Sequence, residues 1–339
     1  MKIRKTTLKS ALAVAVTACA IVAPTQAEVV KRSFCVWDPI GANGPLFNIM
    51  KATKPAAIKW GVELDLKAYT DEKVVAEDFK AEQCDAVLVT GTKAREFNKF
   101  TGSLDALGAL PSDEEMRIML ETLTSPKAAK LLKSGKYEIA GILPAGSVYL
   151  YSRDKTVDTV NELQGKKIGT FDYDKAAVHM VRHVGASVVG ATTANFAGKF
   201  NNGSVDLVYA PAAAYTPLEL YKGIGDSGSV FSYKLAQFSF QTVIHSDRFP
   251  AEFGQQMRDF SATRYDEAYE IIATAESEIN PEFWTHPTAK DAENYAAMFR
   301  NVRISLRDEG VYDAKALKLM RKVRCKKNPS HAECTEKTE

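Results

Sequence analysis

An acidic and aromatic cluster lies in the middle of the chain, where the apolar stretch 166–171 leads into Asp172, Tyr173, Asp174 and Lys175. A helical, amphipathic pattern follows at once. An Asp before a helix accepts hydrogen bonds from the free N–H groups of the first turn. Open α/β sheets also bind small molecules just beyond the carboxyl ends of their strands. We therefore expect one of the two carboxylates to cap the helix and the other to face a ligand.

Two further patterns match known sites only formally. His179 and His183 have the spacing of a zinc pair, but Met180 stands where a metalloprotease has Glu and no third ligand is evident. The stretch 223–228 matches GxGxxG, yet it follows a predicted helix and precedes a strand, the reverse of a dinucleotide site. These residues are interpreted as surface histidines and a loop. The sequence predicts no metal, no cofactor and no catalytic residue.

Aromatic and single polar side chains recur where predicted strands end. Small-ligand pockets combine such apolar walls with a few polar groups. Each residue alone is more often structural, but their equivalent positions together favour a binding site. The candidate ligand-binding residues are Trp37, Asp38, Asn43, Tyr69, Thr90, Arg95, Phe171, Asp172, Tyr173, Tyr209 and Tyr215.

The elements that position these residues alternate between strands and helices, which predicts a layered α/β sheet. Strands are predicted at 33–37, 62–68, 84–90, 137–143, 148–152, 166–171, 206–210 and 235–244. Helices are predicted at 45–60, 71–83, 93–100 and 157–163. Another follows the strand at 166–171 and continues to residue 185, and 250–324 is predicted to be almost entirely helical. Mature chains of this length usually divide into two cores. We expect lobe 1 at 28–148 plus 243–324, lobe 2 at 149–242, a tail at 325–339, and strands crossing between the lobes near 148–153 and 235–244.

The first 27 residues have the pattern of a cleaved signal peptide: a basic start, the apolar stretch 11–22 and small residues before Glu28. Lipidation at Cys19 is the alternative, ranked second because the apolar run continues past it. Without the signal's four bases, 40 basic and 42 acidic residues remain of the 44 and 42 in the whole chain. The resulting net charge of −2 argues against a nucleic-acid partner. The sequence predicts an exported protein.

Three motifs resemble periplasmic solute-binding proteins of TRAP transporters: "LQGKKI" at 163–168, Gly185-Ala186 and "GSVD" at 203–206. The stretches 34–44, 77–109 and 162–215 are similar to a solute-binding family whose members are sometimes labelled RND-type efflux components involved in aminoglycoside resistance, and the similarity is specific at 84–109. The resemblance implies a type II periplasmic binding-protein fold that closes on a solute between its lobes. The efflux label conflicts with the sequence, because pump subunits need membrane spans or long coiled hairpins.

The resemblance implies a monomeric periplasmic receptor that binds a small polar molecule, with a membrane permease as a possible partner. An envelope protein without a transport role, or an enzyme on the same fold, is the alternative. Carboxylate-binding TRAP receptors commonly have an Arg after the Lys-Ile of this motif, where the present chain has Gly169. Rings and carboxylates slightly favour a cationic or polar neutral solute. Arg95 and the helix after Asp172 would instead suit an anion.

Four cysteines remain after signal cleavage, in an oxidising compartment. Cys35 lies in the first predicted strand and Cys84 begins the third. In the strand order 2-1-3 that is usual for such lobes, these strands are neighbours, so a bridge between them is predicted. Cys325 and Cys334 flank a short loop and are predicted to form a second bridge.

Overall fold

The computed structural model describes residues 29–339, so the predicted signal peptide and Cys19 lie outside the described residues. Ten strands form one mixed sheet. They are β1 (Val30–Trp37), β2 (Val62–Tyr69), β3 (Ala86–Thr90), β4 (Lys133–Ser134), β5 (Tyr137–Ser152), β6 (Lys167–Phe171), β7 (Ser187–Ala191), β8 (Leu207–Pro211), β9 (Ser229–His245) and β10 (Trp284–Thr285).

The sheet contains two groups of parallel strands, joined by a long antiparallel pair. Its order is β2-β1-β3-β9-β5-β8-β6-β7, with β4 beside β5 and β10 beside β9. In the first strand group β1 runs parallel to β2 and β3; in the second, β6 runs parallel to β7 and β8. Strands β5 and β9 pair antiparallel along most of their length and therefore extend from one group to the other. The predicted order 2-1-3 is confirmed.

The described residues also form thirteen α-helices. They are α1 (Pro45–Lys59), α2 (Glu72–Lys80), α3 (Gly91–Ala94), α4 (Lys99–Gly102), α5 (Asp113–Thr124), α6 (Lys175–His183), α7 (Phe196–Asn201), α8 (Leu220–Ile224), α9 (Phe253–Ala262), α10 (Tyr265–Ser277), α11 (Ala289–Asp308), α12 (Ala314–Lys327) and α13 (Ala332–Glu336). Short 3₁₀ turns span Pro126–Leu131, Val160–Leu163, Ala212–Ala214, Ser246–Arg248 and Pro281–Phe283. Within residues 29–339, no helix has the length and apolar character needed to cross a membrane.

Several predicted elements need correction. The two strands expected at 137–143 and 148–152 are one strand, β5, because the pairing with β9 continues through an irregularity between Pro144 and Gly146. Strand β9 begins six residues before the predicted 235, and β7 was not predicted. The helix predicted at 157–163 is a short 3₁₀ turn, and the one from 93 to 100 is replaced by α3 and α4.

Both predicted disulfides are confirmed. Cys35 and Cys84 join the first strand group to the loop before β3, with Cα atoms 5.9 Å apart. Both side chains are fully buried within the large core that packs around the first strand group. Cys325 and Cys334 join α12 to α13, with Cα atoms 5.6 Å apart. Two smaller apolar clusters surround the second strand group.

Candidate functional site

The carboxyl ends of strands from both groups border one cavity of about 180 Å³, which we call the cleft cavity. Carboxyl ends of parallel strands are where open α/β sheets bind ligands. Strand β1 and helix α1 contribute lining residues on the side of the first strand group, β6 and β8 contribute those of the second, and the antiparallel strands β5 and β9 contribute others. The largest apolar side chains in this lining are Trp37, Ile40, Leu46, Ile49, Leu143, Phe171, Phe196, Leu218, Phe238, Phe240, Ile271 and Ile272.

The structure brings some of the predicted site residues together and separates others. Five line the cleft cavity: Trp37, Asp38, Thr90, Phe171 and Tyr209. Arg95 lines a second, smaller cavity, which Tyr209 also borders. The remaining candidates lie outside the linings of both cavities: Asn43, Tyr69, Asp172, Tyr173 and Tyr215.

The carboxylate of Asp38 organises the loop that precedes α1. It is fully buried, and its oxygens accept hydrogen bonds from the N–H groups of Ile40 (2.9 Å) and Phe47 (3.1 Å). Phe47 is in the first turn of α1, and a Cβ atom on the neighbouring Gly44 would collide with this carboxylate. A helix N-terminus attracts anions through its free N–H groups. In this protein Asp38 already occupies that position at α1.

Asp172 and Asp174 have different roles. Asp174 is buried and caps α6, where it accepts hydrogen bonds from the N–H groups of Ala176 (3.1 Å) and Ala177 (3.3 Å). It also lies 3.7 Å from the guanidinium of Arg95. The side chain of Asp172 is exposed and lies outside the linings of both cavities. Asp174, the carboxylate that caps α6, therefore also borders a cavity, whereas Asp172 does not.

The second cavity, which we call the arginine cavity, has a volume of about 80 Å³ and contains the Arg95–Asp174 pair at its edge. The Nε of Arg95 donates to the carbonyl of Gly102 (3.0 Å), and its guanidinium lies 5.1 Å from the centre of the Tyr312 ring. Asp105 borders the same cavity and accepts from the Ser239 hydroxyl (2.8 Å). Burial raises the pKa of Asp105 to about 7, although Ser239 and Arg95 oppose the shift.

A buried carboxylate connects the two strand groups on another side. Glu72 begins α2 and accepts from the N–H of Thr90 (2.6 Å) and from the hydroxyl of Tyr173. Its own N–H donates to the Thr193 hydroxyl (3.3 Å), and the ammonium of Lys93 lies 4.6 Å from the centre of the Tyr173 ring. Burial raises the pKa of Glu72, and the hydrogen bonds from Tyr173 and Thr90 oppose that rise. Tyr173 and Thr193 follow strands of the second group, so these contacts hold the two groups together.

Several lining residues were missed from the sequence because they do not follow parallel strands. Leu143, Phe238 and Phe240 come from the antiparallel pair β5 and β9, and Ile272 comes from α10. The alternation of Phe238 and Phe240 with Ser239 and Gln241 was a usable signal, since it places both rings on one face of the strand. Nothing comparable in the sequence marks Ile272.

Gly169 does not open space for a solute. It lies in the middle of β6, outside the linings of both cavities. A Cβ atom there would lie 3.0 Å from Val208 and 3.5 Å from Val205. A larger side chain at this position would therefore first have to displace the core around β8.

A family model described as "Solute-binding protein AdeT 1/2" matches residues 46–339. The chain belongs to this family. A relative from Acinetobacter baumannii called "Probable solute-binding protein AdeT1" is 43% identical over 88% of this chain and 98% of the relative. A second, "Probable solute-binding protein AdeT2" from the same species, is 27% identical over 69% of this chain and 98% of the relative.

Solved TRAP periplasmic solute-binding proteins share the fold. One from Desulfovibrio salexigens, with bound orotic acid, has a TM-score of 0.72 at 12% identity and covers 87% of this chain and 99% of its own. One from Sulfitobacter sp., with bound β-D-galacturonate, has a TM-score of 0.70 at 12% identity and covers 86% of this chain and all of its own. The predicted α/β binding-protein fold is confirmed. Membership of a solute-binding family points to a binding protein rather than an enzyme.

Proposed function

We propose that this protein is a periplasmic receptor that encloses a small solute in the cleft cavity and delivers it to a membrane permease. The observation that carries the proposal is the position of the cavity: its walls come from the carboxyl ends of both strand groups, and membership of a solute-binding family supports the same role. A site shared by two halves of a chain can open and close as the halves move.

The proposed moving parts are the two predicted lobes, 28–148 plus 243–324 and 149–242. Strands β5 and β9 connect them, and the proposed hinge is the crossings near 148–153 and 235–244. The irregular pairing between Val148 and Leu150 supports this position, because a bulge lets a strand bend. The Glu72–Tyr173 and Arg95–Asp174 contacts then belong to the closed form. The protein is further proposed to be a monomer that is exported through a cleaved signal peptide.

The proposal is tested by native mass spectrometry of the protein purified from its own periplasm. We expect a small molecule to co-purify in a one-to-one complex and to be released on unfolding. When that molecule is added back to solute-free protein, small-angle scattering should show a smaller radius of gyration. A solute that binds without any compaction would contradict the hinged mechanism, and the absence of any bound molecule would contradict the receptor role.

We expect Tyr173→Phe to weaken binding of the recovered solute by roughly 10- to 100-fold. The substitution removes only the hydroxyl that donates to the buried Glu72 side chain, and leaving a buried acceptor without its partner costs about 1–3 kcal/mol. If this contact forms only on closure, its loss raises the dissociation constant and leaves the melting temperature of the solute-free protein almost unchanged. Calorimetric titration and thermal unfolding measure the two quantities.

The matched control is Tyr221→Phe, which removes the same atom from a side chain that is 41% exposed. This variant should bind like the parent protein. A large loss of stability in solute-free Tyr173→Phe would instead show that the Glu72 contact persists in the open protein.

A further inference from the structure

The walls of the cleft cavity carry almost no charge. Among the described residues that line it there is no Lys or Arg, and Asp38 is the one acidic residue. Its two oxygens are held by the N–H groups of Ile40 and Phe47. A charged group moved from water into such surroundings loses its hydration without gaining a partner, which strongly opposes binding. The N-terminus of α1, where an anion could otherwise bind, is filled by Asp38 itself.

The groups that could have bound a charged solute are used elsewhere. Arg95 faces the arginine cavity, where it pairs with Asp174 and donates to the carbonyl of Gly102. The exposed Asp172 lies outside the cleft cavity. The combination of aromatic rings and open carboxylates that would favour a cationic solute is therefore not assembled within the described cleft cavity.

Aromatic rings surround the space in several orientations. The rings of Trp37 and Phe240 lie 6.2 Å apart at 50°, and those of Phe171 and Phe196 lie 5.3 Å apart, edge to face. The Tyr209 ring lies 5.8 Å from that of Phe171. Aromatic side chains contact one another and other rings in such tilted and edge-to-face arrangements. The volume of about 180 Å³ somewhat exceeds that of the apolar cavity of roughly 150 Å³ that binds benzene.

The rim of the cavity is apolar as well. Ile40 and Ile271 both border the cavity and are 44% and 46% exposed. They are two of only six large apolar side chains that are strongly exposed within residues 29–339. Ile40 lies in the loop after β1 and Ile271 lies on α10, so an entering solute would contact apolar groups from two separate elements. Exposed apolar groups at one place commonly mark a ligand or partner site.

Three hydroxyls, those of Thr90, Thr193 and Tyr209, provide limited polarity. They accept from the N–H groups of Lys93 (3.2 Å), Glu72 (3.3 Å) and Phe171 (3.3 Å), respectively. Each hydroxyl still has a proton to donate. Burial raises the pKa of Tyr209 well above its usual value, so it remains neutral and able to donate. The site thus has hydrogen-bond donors for a few oxygens of an uncharged molecule.

We infer that the solute of this receptor is an uncharged, mainly apolar molecule with one or two rings and at most a few hydroxyl or carbonyl oxygens. The inference rests on the proposed receptor function and specifies its solute class. It replaces the expectation of a cationic or polar neutral solute, since Asp172 and Asp174 lie outside the cleft cavity and Asp38 is buried and hydrogen-bonded to the N–H groups of Ile40 and Phe47.

The test uses three probes that share one ring system: 2-naphthalenemethanol, 2-naphthoate and 2-naphthylmethylammonium. Calorimetric titration at neutral pH with solute-free protein should show the alcohol binding at least tenfold more tightly than either ion. Ala213→Trp places a large ring on an exposed position of the cavity wall and should weaken binding of the alcohol at least tenfold. Ala297→Trp, at an exposed position on α11 outside the cavity, should have no effect.

A second variant tests charge directly. Ile271→Lys adds an ammonium at the exposed rim and should raise the affinity for 2-naphthoate while lowering that for the ammonium probe. The inference is overturned if either ion binds the parent protein more tightly than the alcohol, if no probe binds, or if Ala213→Trp leaves binding unchanged. In each of these cases a solute recovered by native mass spectrometry would still uphold the receptor function, so the two proposals fail separately.

Discussion

Replacing Cys35 and Cys84 together with Ala lowers the free energy of unfolding by about 4 kcal/mol. The bridge joins residues 49 positions apart, and a cross-link that closes a loop of this length restricts the unfolded chain by roughly that amount in the chain-entropy model. Both sulfurs are buried in the core of the first strand group, so Ala also leaves a small cavity. Urea unfolding of the variant and of the parent protein measures the difference.

The second disulfide provides the matched control. Cys325 and Cys334 are nine positions apart and join two terminal helices, so the same model gives less than about 3 kcal/mol for their replacement by Ala. The Cys35/Cys84 variant should therefore unfold at the lower urea concentration. An equal loss for both variants, or a loss below about 1 kcal/mol for the first, would contradict the assigned contribution.

The positions of strand ends could be predicted from the sequence, because alternating strands and helices constrain where parallel strands begin and end. This is why Trp37, Thr90, Phe171 and Tyr209 were found as candidates and do line the cleft cavity. The first disulfide followed from the same reasoning, since the order 2-1-3 places Cys35 next to the segment that contains Cys84.

The direction of each polar side chain could not be predicted, because it depends on partners that are distant in sequence. Tyr173 turns toward Glu72, which is 101 positions away, and Asp38 turns toward the first turn of α1 rather than toward a solute. Asp172 and Asp174 are equally plausible caps in the sequence, and only the start of α6 at Lys175 decides between them.

The charge that the cavity presents to a solute also depends on hydrogen-bond partners within the protein. The acids and rings at strand ends suggest a site for a cation. In the folded protein, however, the carboxylate of Asp38 accepts hydrogen bonds from the N–H groups of Ile40 and Phe47. The apolar part of the lining from Leu143, Phe238 and Phe240 depends on the register between β5 and β9, which is set by pairing over more than a dozen residues. Local sequence patterns do not predict such long-range pairing.

The contribution of Asp105 to the stability of this protein should fall as the pH rises from about 4 to about 7, and Asp105→Asn should remove that fall. Burial raises the pKa of Asp105 from 3.8 to about 7 in the folded protein. Between these two values the folded chain keeps a proton on Asp105 that the unfolded chain has lost. Unfolding therefore releases a proton, and the free energy of unfolding decreases by up to about 1.4 kcal/mol per pH unit from this group.

The stabilising effect of the protonated carboxyl is complete below pH 3.8 and is lost once the pH has passed through 7. Asn cannot ionise and keeps an oxygen that accepts from Ser239, as Asp105 does. The free energy of unfolding of the variant should match that of the parent protein near pH 4 and exceed it by as much as about 4 kcal/mol near pH 8.

The matched control is Asp266→Asn, at a side chain that is 86% exposed, which should leave the pH profile unchanged. Urea unfolding at several pH values gives the profile, and parallel profiles for parent and Asp105→Asn would contradict the prediction.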